Sequence, residues 1–141
     1  MLYSPTMNQV IDARFEIRDA AEGVGKGLFA LVPIRKGDFV LEYTGKKIPT
    51  KVADDMEEAR YLFEIDSKWT IDGEDESNTA RYINHGCEPN VEAEVHDGHI
   101  LITAVREIEA GEELTIDYGE EYYDEFIKPV GCRCGAKKHI R

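Results

Sequence analysis

Short apolar runs, not long amphipathic stripes, set the pattern of this chain. The segments GLFALV (27–32), FVLEY (39–43), YLFEID (61–66) and KWTID (68–72) lie between Gly, Pro and Asp punctuation, and each reads as a short strand. The clearest alternation is VEAEVHDGHILITAV (91–105), where Val91, Ala93 and Val95 alternate with polar residues, Asp97-Gly98 supplies a two-residue turn, and Ile100, Ile102 and Ala104 resume the alternation. A period of two puts those apolar side chains on one face, so the segment predicts a β-hairpin. Helical signals are few: VADDMEEAR (52–60), a turn at 78–82, and EEYYDEF (120–126). A weak echo links IRKGDFV (34–40) with IEAGEEL (108–114), and a glycine at a tight turn feeding a strand explains it without a true repeat. The expected fold is a mostly β domain of many short strands.

The length, 141 residues, suits one domain with a real core. No apolar run approaches the roughly 18 to 20 residues of a membrane span, and MLYSPTMNQV lacks the basic-then-apolar layout of a signal peptide, so a soluble intracellular protein without a membrane partner is expected. The formal net charge of −12 argues against direct nucleic-acid binding, because neutralising phosphates takes an excess of Lys and Arg. It suits a basic partner, although acidity also simply keeps a small protein soluble. Three cysteines, Cys87, Cys132 and Cys134, are an odd number; disulfides recede and metal binding or catalysis comes forward.

Four places carry candidate chemistry. GVGKGLFA (23–30) brings glycines just ahead of a strand, where backbone can approach a ligand, yet the helix-opening glycine of a dinucleotide fingerprint is missing and a plain turn explains it as well. RYINHGCEPN (81–90) groups Asn84, His85, Cys87 and Asn90. Cys87 and His85 as nucleophile and base is disfavoured, since such pairs normally come from distant segments. CRCGAKKHIR (132–141) offers Cys132, Cys134 and His139, which with Cys87 make a tetrahedral three-Cys, one-His zinc set, or else two incidental cysteines and a solvated histidine. EELTIDYGEEYYDEF (112–126) ends a strand on Tyr118, a place where tyrosines are usually half-buried packing residues.

Taken in order, these segments resemble the SET-domain protein lysine methyltransferases over roughly residues 14–139. Gly25-Lys26-Gly27 resembles the family's GxG, Tyr43-Thr44-Gly45 its YxG, Asn84 to Asn90 its NHxCxPN, Glu113 to Tyr118 its ELTxDY, and Cys132-x-Cys134 with His139 its post-SET zinc segment. The resemblance implies a β-clip of several short curved sheets with few short helices, in which the C-terminal segment passes under an earlier loop to form a pseudoknot. It divides the chain into an N-terminal extension (1–13), a SET domain (14–119) and a post-SET segment (120–141). It further implies S-adenosylmethionine held by Gly25, Lys26, Gly27, Arg81, Asn84 and His85, and a substrate channel lined by Tyr43, Ile116 and Tyr118, with Tyr118 and Tyr43 as the catalytic pair. A structural Zn2+ on Cys87, Cys132, Cys134 and His139 and a basic, Lys-containing, histone-like protein partner, placing the protein at chromatin of its own cell or of a host, complete the set.

The residue types suit that chemistry. A lysine amine must be neutral to attack a sulfonium methyl, and with a free pKa of about 10.4 its deprotonation at pH 7 costs about 4.6 kcal/mol, so a dry channel beside a positive sulfonium is useful. A tyrosine hydroxyl can hold the amine on the reaction axis. The chain departs from the family in three ways: His139 replaces a cysteine, Ile116 stands where Phe or Tyr is common and implies transfer beyond one methyl, and a minimal version without the Cys-rich leader and long insert is expected. A catalytically weak module that binds a Lys-rich segment, and a small zinc-stabilised interaction domain, are the competing readings.

Overall fold

The computed structural model describes residues 13–20, 25–57 and 60–119. The strands are β1 (Phe15–Asp19), β2 (Lys26–Ala30), β3 (Phe39–Tyr43), β4 (Lys46–Pro49), β5 (Leu62–Glu64), β6 (Trp69–Asp72), β7 (Asn84–His85), β8 (Val91–His96), β9 (His99–Ala104) and β10 (Thr115–Ile116); helix α1 spans Thr50–Asp54 and a 3-10 turn Thr79–Tyr82. They form four small sheets: β1-β2, β3-β9-β8, β4-β6-β5, and the parallel pair β10-β7. The described residues are thus the expected β-clip of short sheets.

The β8–β9 hairpin forms with the expected register, Val91 opposite Ala104 and Val95 opposite Ile100. Asp97 and Gly98 have φ of 48° and 80°, the two left-handed residues of a type I′ turn, whose twist matches the strands. Ile100, Ile102, Ala104 and Val91 are buried on the inner face and pack with Phe15, Leu28, Val40, Ile83, Ile108 and Leu114 in one core. Each fully buried aliphatic side chain of this kind contributes about 2 kcal/mol. β2 stops at Ala30 because Leu31 and Val32 turn outward, 46% and 38% exposed.

The echo between 34–40 and 108–114 is a structural pairing. Ile34 and Ile108 exchange backbone hydrogen bonds of 2.9 and 2.8 Å. Gly37 and Gly111 both have φ of 90°, a conformation that glycine adopts without strain. Each loop also closes on its own acid: Asp38 accepts the Arg35 N–H at 3.1 Å and Glu112 the Glu109 N–H at 3.1 Å.

The helix expected over 52–60 is instead the shorter α1, beginning two residues earlier. Thr50 opens it, buried, with its hydroxyl 2.9 Å from both the Asp66 carbonyl and Thr70 Oγ1. Of the residues that follow, Ala53 is the one α1 side chain besides Thr50 that reaches the interior. With so little apolar face to bury, the helix closes through Asp55 N–H to Val52 O and Met56 N–H to Ala53 O. β1 was not anticipated, although Phe15 and Ile17 alternate with Glu16 and Arg18 and carry the signal; nor was β4. The expected helix at 120–126 lies outside the described residues.

Candidate active site

The site is built around the shortest sheet. β7 and β10 pair in parallel, Thr115 beside Asn84 and Ile116 beside His85. Two residues a strand cannot hold such a pairing alone; Asn90 clamps it. Asn90 is 1% exposed. Its N–H donates to Thr115 O at 3.1 Å, its Oδ1 accepts the Thr115 N–H at 2.8 Å, and its Nδ2 donates to Glu113 O at 2.8 Å and Glu112 Oε2 at 3.1 Å. Gly86 lies flat against the crossing strand, since a Cβ there would come within 2.5 Å of the Thr115 side chain. Glu112 is held from the other side by Arg106 at 2.6 Å. Burial pushes the Glu112 carboxyl up, but Arg106, the Glu109 N–H and Asn90 together outweigh it and hold its pKa below the usual value.

On one side of this pair Gly27, Asn84 and Glu113 form a tight notch. Asn84 Nδ2 donates to Lys26 O and to Glu113 Oε2, both at 2.9 Å. A Cβ on Gly27 would lie 2.6 Å from Glu113 Oε2 and 3.2 Å from Asn84 Nδ2. The fold therefore brings the Lys26–Gly27 backbone and Asn84 together from distant parts of the sequence. Lys26 directs its ammonium outward to Asp19, 2.7 Å away, so its backbone and not its charge faces the notch. Arg81 stacks its guanidinium on Tyr61, 4.3 Å from the ring centre, and on Tyr82, at 5.1 Å.

Across β10 lies a cleft of about 960 Å³ whose lining includes Tyr43, Ile116 and Tyr118. The Tyr43 hydroxyl donates to Tyr61 O at 2.7 Å, and its ring meets Phe63 at 5.3 Å. The Tyr118 hydroxyl donates to Ile83 O. With both protons committed to backbone carbonyls, each phenol oxygen offers its lone pairs as acceptors. Asn78, missed in the sequence, holds the Tyr43 wall: fully buried, it accepts the Thr44 N–H and donates to Gly73 O, both at 3.0 Å. Gly73 lets the tyrosine ring sit flush, since a Cβ there would come within 2.5 Å of it. Asp54, Glu64, Glu92 and Asp117 also line the cleft, against Arg60, an acidic balance.

His85 and Cys87 point into the interior. Cys87 Sγ lies 3.5 Å from His85 Nε2, and His85 Nδ1 lies 3.9 Å from Asp117 Oδ1. Cys87 is 3% exposed, a burial that does not suit a nucleophile. Cys132, Cys134 and His139 lie outside the described residues, and among the described residues no three His, Cys, Asp or Glu side chains gather as a metal site.

Fold and site together define a knotted β-clip domain with a glycine-lined notch and a tyrosine-lined cleft on a shared strand pair. The family model described as the SET domain matches residues 25–119, and the chain belongs to that family. It is 42% identical to the Histone-lysine N-methyltransferase EHMT1 of Homo sapiens over 82% of this chain and 10% of that protein. Histone-lysine N-methyltransferase trithorax of Drosophila melanogaster is 40% identical over 81% of this chain and 3% of its own length. Among solved structures, one described as ctPRC2 in an autoinhibited conformation bound to S-adenosylmethionine is similar with TM-score 0.63 and 32% identity, over 74% of this chain and 15% of that one. The chain thus spans about a tenth or less of the curated relatives named here.

Proposed function

We propose that the protein transfers methyl groups from S-adenosylmethionine to the side-chain amine of lysine in a basic protein segment such as a histone tail, acting at chromatin. The observation that carries the reading is the pair of phenol oxygens in one acidic cleft, Tyr43 and Tyr118, each with its proton tied to a backbone carbonyl. Such oxygens accept N–H bonds from an incoming amine, align its lone pair, and favour its entry without themselves taking up a proton. Similarity to histone-lysine N-methyltransferases and to a structure bound to S-adenosylmethionine supports the same reading.

The notch fits an amino-acid-bearing cofactor: it has backbone pressed close at Gly27, where no side chain could stand, and an oriented amide at Asn84. Gly25, Lys26, Gly27 and Asn84 would hold S-adenosylmethionine there, with the backbone of His85, whose ring is turned inward, and Arg81 completing the wall. When bound, the cofactor supplies an electrophilic methyl on a positive sulfur. Ile116, buried in the lining of the cleft, offers no hydrogen bond to a methylated amine, which favours transfer beyond one methyl. Asp54, Glu64 and Glu92 attract a Lys-rich segment, and the net charge of −12 speeds its encounter at low salt. Cys87 with Cys132, Cys134 and His139 would hold a structural Zn2+ that fastens the post-SET segment to the knot.

The test is incubation of the full chain with methyl-labelled S-adenosylmethionine and core histones beside Tyr118→Phe. Labelled lysine with the unaltered protein, reduced at least about a hundredfold in the variant, is expected. Absence of label from both, together with no binding of S-adenosylmethionine by calorimetry, refutes the enzyme and leaves a module that binds Lys-rich segments.

A further inference from the structure

The Asn84 amide makes two hydrogen bonds from the same nitrogen, to Lys26 O and to Glu113 Oε2, both 2.9 Å long. A backbone carbonyl and an ionised carboxylate are acceptors only, so the amide can face them only with its NH2 group. Turned over, its oxygen would meet two oxygens. The carbonyl end of the amide, Oδ1, is therefore obliged to point the other way, out of the notch wall. Lys26 O alone leaves the amide free to swing about that single bond, whereas the second acceptor fixes its plane. Glu113 is itself anchored, because the backbone on either side is committed: Leu114 N–H donates to Leu28 O at 2.8 Å and Glu113 O accepts from Asn90. The side chain also lies against Gly27, which leaves it little room to leave.

We infer that Glu113 is a positioning residue for the methyl donor: it locks the Asn84 amide with Oδ1 presented as an acceptor for the ammonium of the donor's amino-acid part. This rests on the cofactor assignment made above. The role is specific in chemistry. An oriented amide oxygen recognises the ammonium and is indifferent to the adenosine end, and the Glu113 charge adds attraction to the same positive group.

Calorimetry on the full chain with two probes separates this role from a merely structural one. S-adenosylhomocysteine carries the ammonium; 5′-methylthioadenosine lacks the amino-acid part. Glu113→Ala is expected to weaken S-adenosylhomocysteine about tenfold, in line with loss of one oriented bond to a charged group, and to leave methylthioadenosine within about twofold. Glu113→Gln keeps an acceptor for Asn84 and is expected to restore most of the affinity. Equal weakening of both probes by Glu113→Ala, or no effect on S-adenosylhomocysteine, overturns the inference. Failure of the unaltered protein to bind S-adenosylhomocysteine instead overturns the cofactor assignment itself.

Discussion

Asn90 is where the knot is most exposed to a single substitution. Asn90→Ala removes the acceptor of the Thr115 N–H and the donor to Glu113 O, both part-buried bonds of 2.8 Å, and one of the donors to Glu112. The site is 1% exposed, so water does not replace the lost partners without opening the structure. Each orphaned backbone group costs roughly 1–3 kcal/mol, so the pair gives about 2–6 kcal/mol. That is a large share of the roughly 5–15 kcal/mol that holds a domain of this size together. Urea unfolding followed by tryptophan fluorescence reads it as a fall in midpoint with the slope unchanged. Asn90→Asp sharpens the test: it keeps an oxygen for the Thr115 N–H but turns an oxygen, in place of the amide NH2, toward Glu113 O and Glu112 Oε2. The damage should match or exceed that of the alanine variant. A loss below about 1 kcal/mol for Asn90→Ala, or an aspartate variant milder than the alanine one, refutes the claim that this side chain clamps β7 to β10.

The other expectations concern single features. Gly73→Ala puts a methyl within 2.5 Å of both the Tyr43 ring and Asn78 Nδ2, so it should cost about 2–3 kcal/mol in thermal unfolding and displace the cleft wall. The depressed Glu112 pKa means that its contribution to stability is full above the carboxylate's unfolded pKa and fades as pH falls through the lower folded value; melting temperature should drop on acidification below about pH 4.5, less steeply in Glu112→Gln. Native mass spectrometry should find one zinc in the full chain, lost in Cys132→Ser; zinc-free unaltered protein contradicts the metal assignment.

Legibility followed the range of the interactions. The β8–β9 hairpin could be read because its register depends on neighbours joined by Asp97-Gly98, and the paired loops at 34–40 and 108–114 showed as an echo because each needs a glycine at φ of 90°. Helix α1 was misjudged in extent because its limits depend on Thr50 reaching Asp66 and Thr70, 16 and 20 residues further along the chain. The ordered motifs exposed the family, including Tyr43, Asn84, Ile116 and Tyr118. They said nothing of Asn78 or of the bond between Glu113 and Asn84, since an asparagine between strands and a glutamate in an acidic run have no periodicity to distinguish them.

The sequence by itself therefore determined most of the strands, β1 and β4 excepted, the hairpin turn and the residue types of the site, all of which depend on local backbone preference and side-chain chemistry. Only the tertiary structure decided that β7 and β10 pair in parallel, that Asn90 holds them, which way the Asn84 amide faces, and that both tyrosine protons are spent on backbone carbonyls. Those features are hydrogen bonds between segments far apart in the chain, and a bond of that kind has a direction and a partner only once the chain has crossed itself.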